Sequence, residues 1–364
     1  MESKTSIGIG IIGVGGICSF GHFPAMEQAR GAKLLALCDV NAETCKSFAD
    51  AYTVPRTYSD YHELLADSEI DAVLIATPNY LHKTMTIDAL KAGKHVLSEK
   101  PMAFNAADAA EIVAAARAAK KKLMIDFTHR FWNRSLRLKK EIEAGKLGEP
   151  YYVKIGWLRR RGTPAWGHNS WFTQKRLSGG GCVVDVGCHM ADLALWWLGH
   201  PEIAAVTGYT TQRFGHWRPK GLPEGVGGAL NDVEDLAAAT IRLKNGAHIF
   251  MEVAWAINLD RAELGYADIY GTRGSASWRH SDPFDENPPP QLTLYCGDDE
   301  TCEAEVVELG EESMSAGWVR ADQHFIDSIV NDREPEPSGE CGLIATRVTD
   351  AIYESSRTGK EVAF

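Results

Sequence analysis

The sequence predicts an α/β protein of two domains, a doubly wound parallel sheet first and a mostly antiparallel sheet second. Three observations carry this. The 364 residues exceed the roughly 250–300 at which a single hydrophobic core stops growing. Residues 1–127 alternate between continuous apolar runs and stretches of helical period, the pattern of strands covered on both faces by crossover helices. Over residues 128–364 that alternation gives way to strand-like runs separated by turn residues.

Within the first domain, Ile7–Ile12 is an unbroken apolar run and reads as a buried strand. A glycine-rich turn follows, then a helix over about Phe20–Ala29. Lys33–Asp39 is the second strand, and Asn41 is placed to cap a helix reaching about Tyr52. Asp71–Thr77 is a third strand, closed by Pro78, and Tyr80–Ala92 is a helix stopped by Gly93. His95–Glu99 is a fourth strand. Asn105 caps an alanine-rich helix to about Ala119, and Lys122–Asp126 is a fifth strand.

The second domain opens with a helix over about Ser135–Ala144 and a longer strand, Tyr151–Leu158. Residues 159–181, rich in Gly, Trp and Arg, read as a long loop, a kind that often carries function. Val183–Trp197 is a helix. Strands follow from Ile203 to about Leu309, punctuated by turns such as Lys244-Asn245-Gly246, with a surface loop at 281–290. Two helices, about Gly317–Val330 and Gly342–Ser356, close the chain.

Composition narrows the function. Hydrophobic residues make up 45% and charged residues 24%, ordinary for a globular protein. The formal net charge of −11 argues against nucleic acid or an anionic membrane surface as partner. No stretch reaches the ~18 apolar residues of a membrane span, and the first residues lack a signal-cleavage pattern. The expected location is the cytoplasm. The eight cysteines are scattered, and neither Cys182/Cys188 nor Cys296/Cys302 has zinc-site spacing. Reduced thiols, mostly buried, and no metal are the expectation.

The first strand leads into Gly13-Val14-Gly15-Gly16-Ile17-Cys18. Gly13 permits a tight turn, Gly15 lets the backbone approach a pyrophosphate at the N-terminus of a helix, where anions are favoured, and Gly16 adds freedom. Cys18 occupies the third position of the G-x-G-x-x-G pattern and is small enough for close helix–strand packing. Asp39, 21 positions after Cys18, ends the next strand. Its carboxylate suits the two ribose hydroxyls of NAD and would repel the 2′-phosphate of NADP. The expected cofactor is NAD.

Three further segments complete the pattern: Ala76-Thr77-Pro78-Asn79-Tyr80-Leu81-His82, Glu99-Lys100-Pro101, and Gly179-Gly180-Gly181 followed by Asp185-Val186-Gly187-Cys188-His189 and Asp192. With the glycine turn, the chain resembles the Gfo/Idh/MocA family of oxidoreductases over nearly its whole length. The resemblance implies a Rossmann domain followed by an α/β domain with a large, open, mainly antiparallel sheet, and a homo-oligomer, dimer or tetramer, formed through the open sheet face. It implies that Thr77, Pro78, Asn79 and His82 form a turn on the adenosine side of the cofactor, and that Glu99 faces the nicotinamide ribose.

Asp185 and His189 lie four apart on an expected helix and so share a face. Lys100 ends a parallel strand, at the edge where ligands bind in such sheets. Loss of hydride from a secondary alcohol requires loss of the hydroxyl proton. His189, with an unperturbed pKa of ~6.5, needs little tuning to accept it, whereas Lys100 starts near ~10.4. His189 is therefore assigned as general base, Lys100 as the group that stabilises the developing alkoxide, and Asp185 as the acceptor for a neighbouring hydroxyl. Matching these positions to the family's motifs implies the same roles, and Lys100 as base remains an alternative.

Substrate contacts are expected from Arg130 and neighbouring His129, and from Trp157, Arg159, Trp166, His168 and Trp171, because aromatic faces with nearby donors suit a sugar ring. The expected partner is a small sugar, glycoside or polyol, oxidised at a secondary hydroxyl, with ring C3 of a glycoside favoured. Two other readings stay open: a glycosidase acting through transient oxidation by NAD, and a non-catalytic dinucleotide sensor.

Overall fold

In the computed structural model the described residues are 6–160, 171–214, 231–281, 291–297 and 301–364. They form two compact units, Met1–Phe131 with Glu312–Thr346 and Trp132–Glu311 with Arg347–Phe364.

The first unit contains six parallel strands: β1 (Ile7–Ile12), β2 (Ala32–Cys38), β3 (Arg56–Tyr58), β4 (Ala72–Ile75), β5 (His95–Ser98) and β6 (Leu123–Ile125). Their order, β3-β2-β1-β4-β5-β6, is that of a Rossmann sheet, with its topological switch point between β1 and β4. Every residue of β1 and β4 is buried, as expected for strands covered on both faces. Asn41 caps the helix Ala42–Ala51 through Thr44 N–H at 3.0 Å, and Asn105 caps Ala106–Ala119 through Asp108 N–H at 2.9 Å.

Strand β3 and the helix Tyr61–Ala66 were not expected. Arg-Thr-Tyr has no apolar run, and it pairs only on one side of β2 at the sheet edge. The helix expected at Phe20–Ala29 divides into a π-turn, Cys18–His22, and an α-helix, Phe23–Gln28. The helix Ala316–Val330 belongs to this unit because Ala321 and Phe325 enter the same core as Cys18, Phe23, Leu97 and Met124.

Among the described residues the second unit has nine strands: β7 (Pro150–Arg159), β8 (Ile203–Thr211), β9 (Leu236–Leu243), β10 (His248–Ala254), β11 (Glu263–Gly271), β12 (Gly274–Ser281), β13 (Leu292–Cys296), β14 (Glu303–Val306) and β15 (Val362–Ala363). The order is β14-β13-β12-β11-β7-β10-β9-β8-β15. Neighbours run antiparallel except β7 and β10, a parallel pair. One face of the sheet carries Val153, Ile155, Ile249, Met251, Val253, Ala267 and Ile269, all buried. The other carries Tyr152, Lys154, Phe250, Glu252 and Asp268, half-buried, and the exposed Tyr270. Against β7 and β10 lies the helix Cys188–Trp197, buried at every position, which accounts for its nearly all-apolar sequence. No described helix is long and apolar enough to cross a membrane.

Candidate active site

In the first unit the expected dinucleotide turn sits at the end of β1. Gly13 has φ +89°, and a Cβ there would lie 2.7 Å from Ala76 O, so only glycine fits. Gly15 and Gly16 are exposed, and nothing lies within 4 Å of where their side chains would project. The backbone there faces open space, as a bound pyrophosphate requires. Asp39 accepts Val14 N–H at Oδ2 and Asn41 N–H at Oδ1, both at 2.8 Å, which pins the carboxylate beside the turn. The Thr77 hydroxyl, at the end of β4, is buried without a hydrogen-bond partner among the described residues. These features fit a dinucleotide lying across the switch point.

Ile17 is half-buried and packs on the core. Cys18 is fully buried, and its thiol donates to Gly13 O at 3.2 Å. Burial pushes this thiol up to about 11, so it is a neutral packing group at the third glycine position. Pro78 leads into the 3-10 turn Asn79–Leu81, and Asn79 is buried. His82, 1% exposed, joins two turns: Nδ1 lies 2.7 Å from Pro101 O and Nε2 2.8 Å from Thr77 O. Lys100, half-buried, follows β5. Glu99 Oε2 accepts the Lys100 backbone N–H at 3.0 Å, and Oε1 lies 3.4 Å from His22 Nε2. Glu99 thus has an inward partner. Arg130 is 2% exposed, with Nη1 3.0 Å from Glu336.

In the second unit, Asp185 and His189 lie one helical turn apart on a continuous segment, a π-turn over Val183–Gly187 running into the helix Cys188–Trp197. Both are buried, as is Asp192. The Asp185 carboxylate accepts Trp255 Nε1–H at 2.9 Å and lies 3.5 Å from Arg159 Nη1. Arg159 is held in turn by Glu263 at 3.0 Å, and Glu263 also accepts from Trp157 Nε1. Phe172 stands between Trp171 and Trp255, with ring centroids 4.6 and 5.9 Å away. Trp166 and His168 lie outside the described residues.

The segment starts on a carboxylate. Glu234 accepts the backbone N–H of Gly181 at 2.9 Å and of Val183 at 3.0 Å, and the Tyr353 hydroxyl at 2.9 Å. An anion at a helix N-terminus satisfies donors that have no partner within the helix. The glycine run is explained by the same contacts. A Cβ on Gly180 would lie 1.9 Å from the Tyr353 hydroxyl and one on Gly181 2.0 Å from Glu234 O. Sequence reasoning did not single out Trp255, Glu263, Glu234 or Tyr353. Each is far along the chain from its partner, and no local pattern marks it.

Chemically, the second unit offers a carboxylate fixed by two donors and an imidazole one turn beyond it. The first offers a glycine-lined anion turn and a lysine at the sheet's carboxyl edge.

Known proteins match the chain over nearly its whole length. The family model for the oxidoreductase NAD-binding Rossmann fold matches residues 7–127, and that for the C-terminal alpha/beta domain matches 139–364. The chain is 28% identical to D-glucoside 3-dehydrogenase of Escherichia coli (strain K12), over 99% of its own length and 98% of that protein's. It is 26% identical to myo-inositol 2-dehydrogenase of Thermotoga maritima, over 97% of each. A solved structure of levoglucosan dehydrogenase in complex with NADH and levoglucosan has the same fold, with TM-score 0.87, 22% identity, and coverage of 98% of this chain and 99% of that one. The two family models together span well over half of the chain, and it belongs to the Gfo/Idh/MocA family of NAD-binding oxidoreductases.

Proposed function

We propose that the chain is an NAD-dependent dehydrogenase for a secondary hydroxyl of a sugar, glycoside or cyclitol, with ring C3 of a glycoside favoured. The observation that carries this reading is the Asp185 carboxylate, fixed by Trp255 and Arg159 one turn before His189. A carboxylate so held can accept one hydroxyl of a vicinal pair while the neighbouring hydroxyl meets the imidazole. The likeness to a glucoside 3-dehydrogenase over 99% of the chain favours the glycoside.

In this reading residues 1–127 hold NAD and 128–364 hold the substrate. Bound NAD supplies the hydride acceptor. His189 takes the hydroxyl proton as the C–O bond becomes a carbonyl. Lys100 donates to the oxygen as negative charge develops on it. Asp185 orients the ring through the adjacent hydroxyl. Exposure favours Arg159, Trp171 and Phe172, all half-buried, over Arg130 and Trp157 as substrate contacts. The latter two are nearly fully buried, with polar atoms engaged by Glu336 and Glu263. The half-exposed sheet face with Tyr152, Phe250 and Tyr270 supports a homo-oligomer.

The test is mass spectrometry of polyols, free sugars and glucosides incubated with the protein and NAD. A product two hydrogens lighter, from one stereochemical series, is expected. Release of aglycone from a glycoside would replace this reading with a glycosidase. An unchanged panel beside intact NAD binding would replace it with a sensor.

A further inference from the structure

Behind the Glu99–Lys100 turn, the first unit buries four titratable side chains. His22, on the π-turn after the glycine loop, is 0% exposed. Its Nδ1 faces both oxygens of Asp322, on the helix Ala316–Val330, at 3.2 and 3.1 Å. Its Nε2 faces Glu99 Oε1 at 3.4 Å and Asp126 Oδ2, after β6, at 3.7 Å. Asp322 and Asp126 are each 1% exposed and Glu99 7%. The Cys18 thiol, on the same π-turn, also lies close enough to feel the charge on His22.

Carboxylates flank both ring nitrogens. Nδ1 is in hydrogen-bond contact with Asp322, whereas Nε2 faces Glu99 and Asp126 at ion-pair distances with no hydrogen bond among the described residues. Burial alone would lower the basicity of His22, but the charge and hydrogen bond of Asp322, with Glu99 and Asp126, reverse this and raise its pKa well above the ordinary value. Burial and the neighbouring Glu99 raise Asp126 well above its ordinary value. That direction favours the neutral acid at Asp126. Burial also lifts Asp322, and the His22 charge and hydrogen bond oppose that lift.

We propose that His22 is a positioning residue: an imidazolium clamped by Asp322 holds the Glu99 carboxylate, and with it the turn that presents Lys100. Glu99 is the link, because its other oxygen accepts the Lys100 backbone N–H at 3.0 Å. Asp126 closes the far side of Nε2 without adding a second negative charge beside Glu99. An uncompensated charge here would be costly, so the cluster keeps one geometry. The proposal rests on the reading of Lys100 as the group that meets the reacting oxygen.

The test uses the full chain labelled with nitrogen-15, free of substrate. The His22 ring, identified by its loss in His22→Gln, is expected to carry a proton on both nitrogens at pH 8. A neutral ring, or one bearing a metal, overturns the proposal. Two isosteric variants supply a second reading should His22→Gln fail to fold. Asp126→Asn, which mimics a neutral acid, should keep kcat within about 3-fold. Asp322→Asn should lower kcat on the order of 10-fold, with KM for NAD changed less than about 3-fold, and should leave the ring neutral at pH 8. Equal effects of the two variants, or none from Asp322→Asn, overturn it. Lys100→Met with unimpaired turnover would sink the reading of Lys100 and this role with it. A neutral His22 beside an inactive Lys100→Met would sink the positioning role alone.

Discussion

The turn that carries Lys100 and the segment that carries Asp185 and His189 are anchored by different physics. Under the first lies a buried cluster of one imidazole and three carboxyl groups, His22, Glu99, Asp126 and Asp322. Under the second, Glu234 gathers two backbone N–H groups and the Tyr353 hydroxyl, while Trp255 and Arg159 hold Asp185. The first anchor depends on charge balance among buried groups, where a lost partner strands a charge. The second depends on hydrogen-bond geometry at the start of a helix, where each donor has few other acceptors. Isosteric changes should therefore discriminate sharply in the first unit, and truncations should act through local structure in the second.

The largest effect expected in the second region comes from His189→Ala. Turnover should fall ~10²–10⁴-fold, the range for loss of a general base, while NAD affinity measured by calorimetry stays unchanged. Parallel loss of cofactor binding would instead make His189 a structural residue.

Next comes the anchor itself. Glu234→Ala leaves Gly181 and Val183 N–H and the Tyr353 hydroxyl without their acceptor, and should destabilise the protein by about 2 kcal/mol in urea unfolding. If stability is intact, the carboxylate is not what starts the helix.

A smaller effect is expected at the cofactor edge of the first unit. Asp39→Ala should raise relative affinity for NADP on the order of 10-fold, by removing the charge that repels a 2′-phosphate. An unchanged ratio of NAD to NADP binding would move the ribose contact elsewhere.

The smallest concerns the thiols. Burial raises Cys18 to about 11 and Cys38 to about 12, so at pH 8 no more than about one in a thousand of either is thiolate. Iodoacetamide should modify exposed Cys302 first, and labelling of Cys18 and Cys38 should rise only as pH approaches those values. Early labelling of Cys18 at pH 8, followed by peptide mapping, would mean the glycine turn opens readily.

Much of this was legible in the chain alone, wherever chemistry follows from neighbours in sequence. Continuous apolar runs specify strands buried on both faces, so β1, β2, β4, β5 and β6 were readable to within a few residues. Gly13, Asp39, the Asn41 and Asn105 caps and the Asp185–His189 spacing are likewise local patterns. Strand β3 was not legible, because a three-residue polar edge is defined by its partner strand and not by its own period. Nor was the parallel pairing of β7 with β10, since a strand's sequence does not state its neighbour's direction.

The anchors lay furthest from reach. His22 meets Asp322 across 300 positions, and Trp255 meets Asp185 across 70. Residue type and spacing marked a glycine turn with a lysine after a parallel strand in one unit, and an aspartate and a histidine one helical turn apart in the other. Only tertiary packing decided which distant carboxylates and donors hold them, because burial sets a group's charge and partners, and burial is a property of the folded chain.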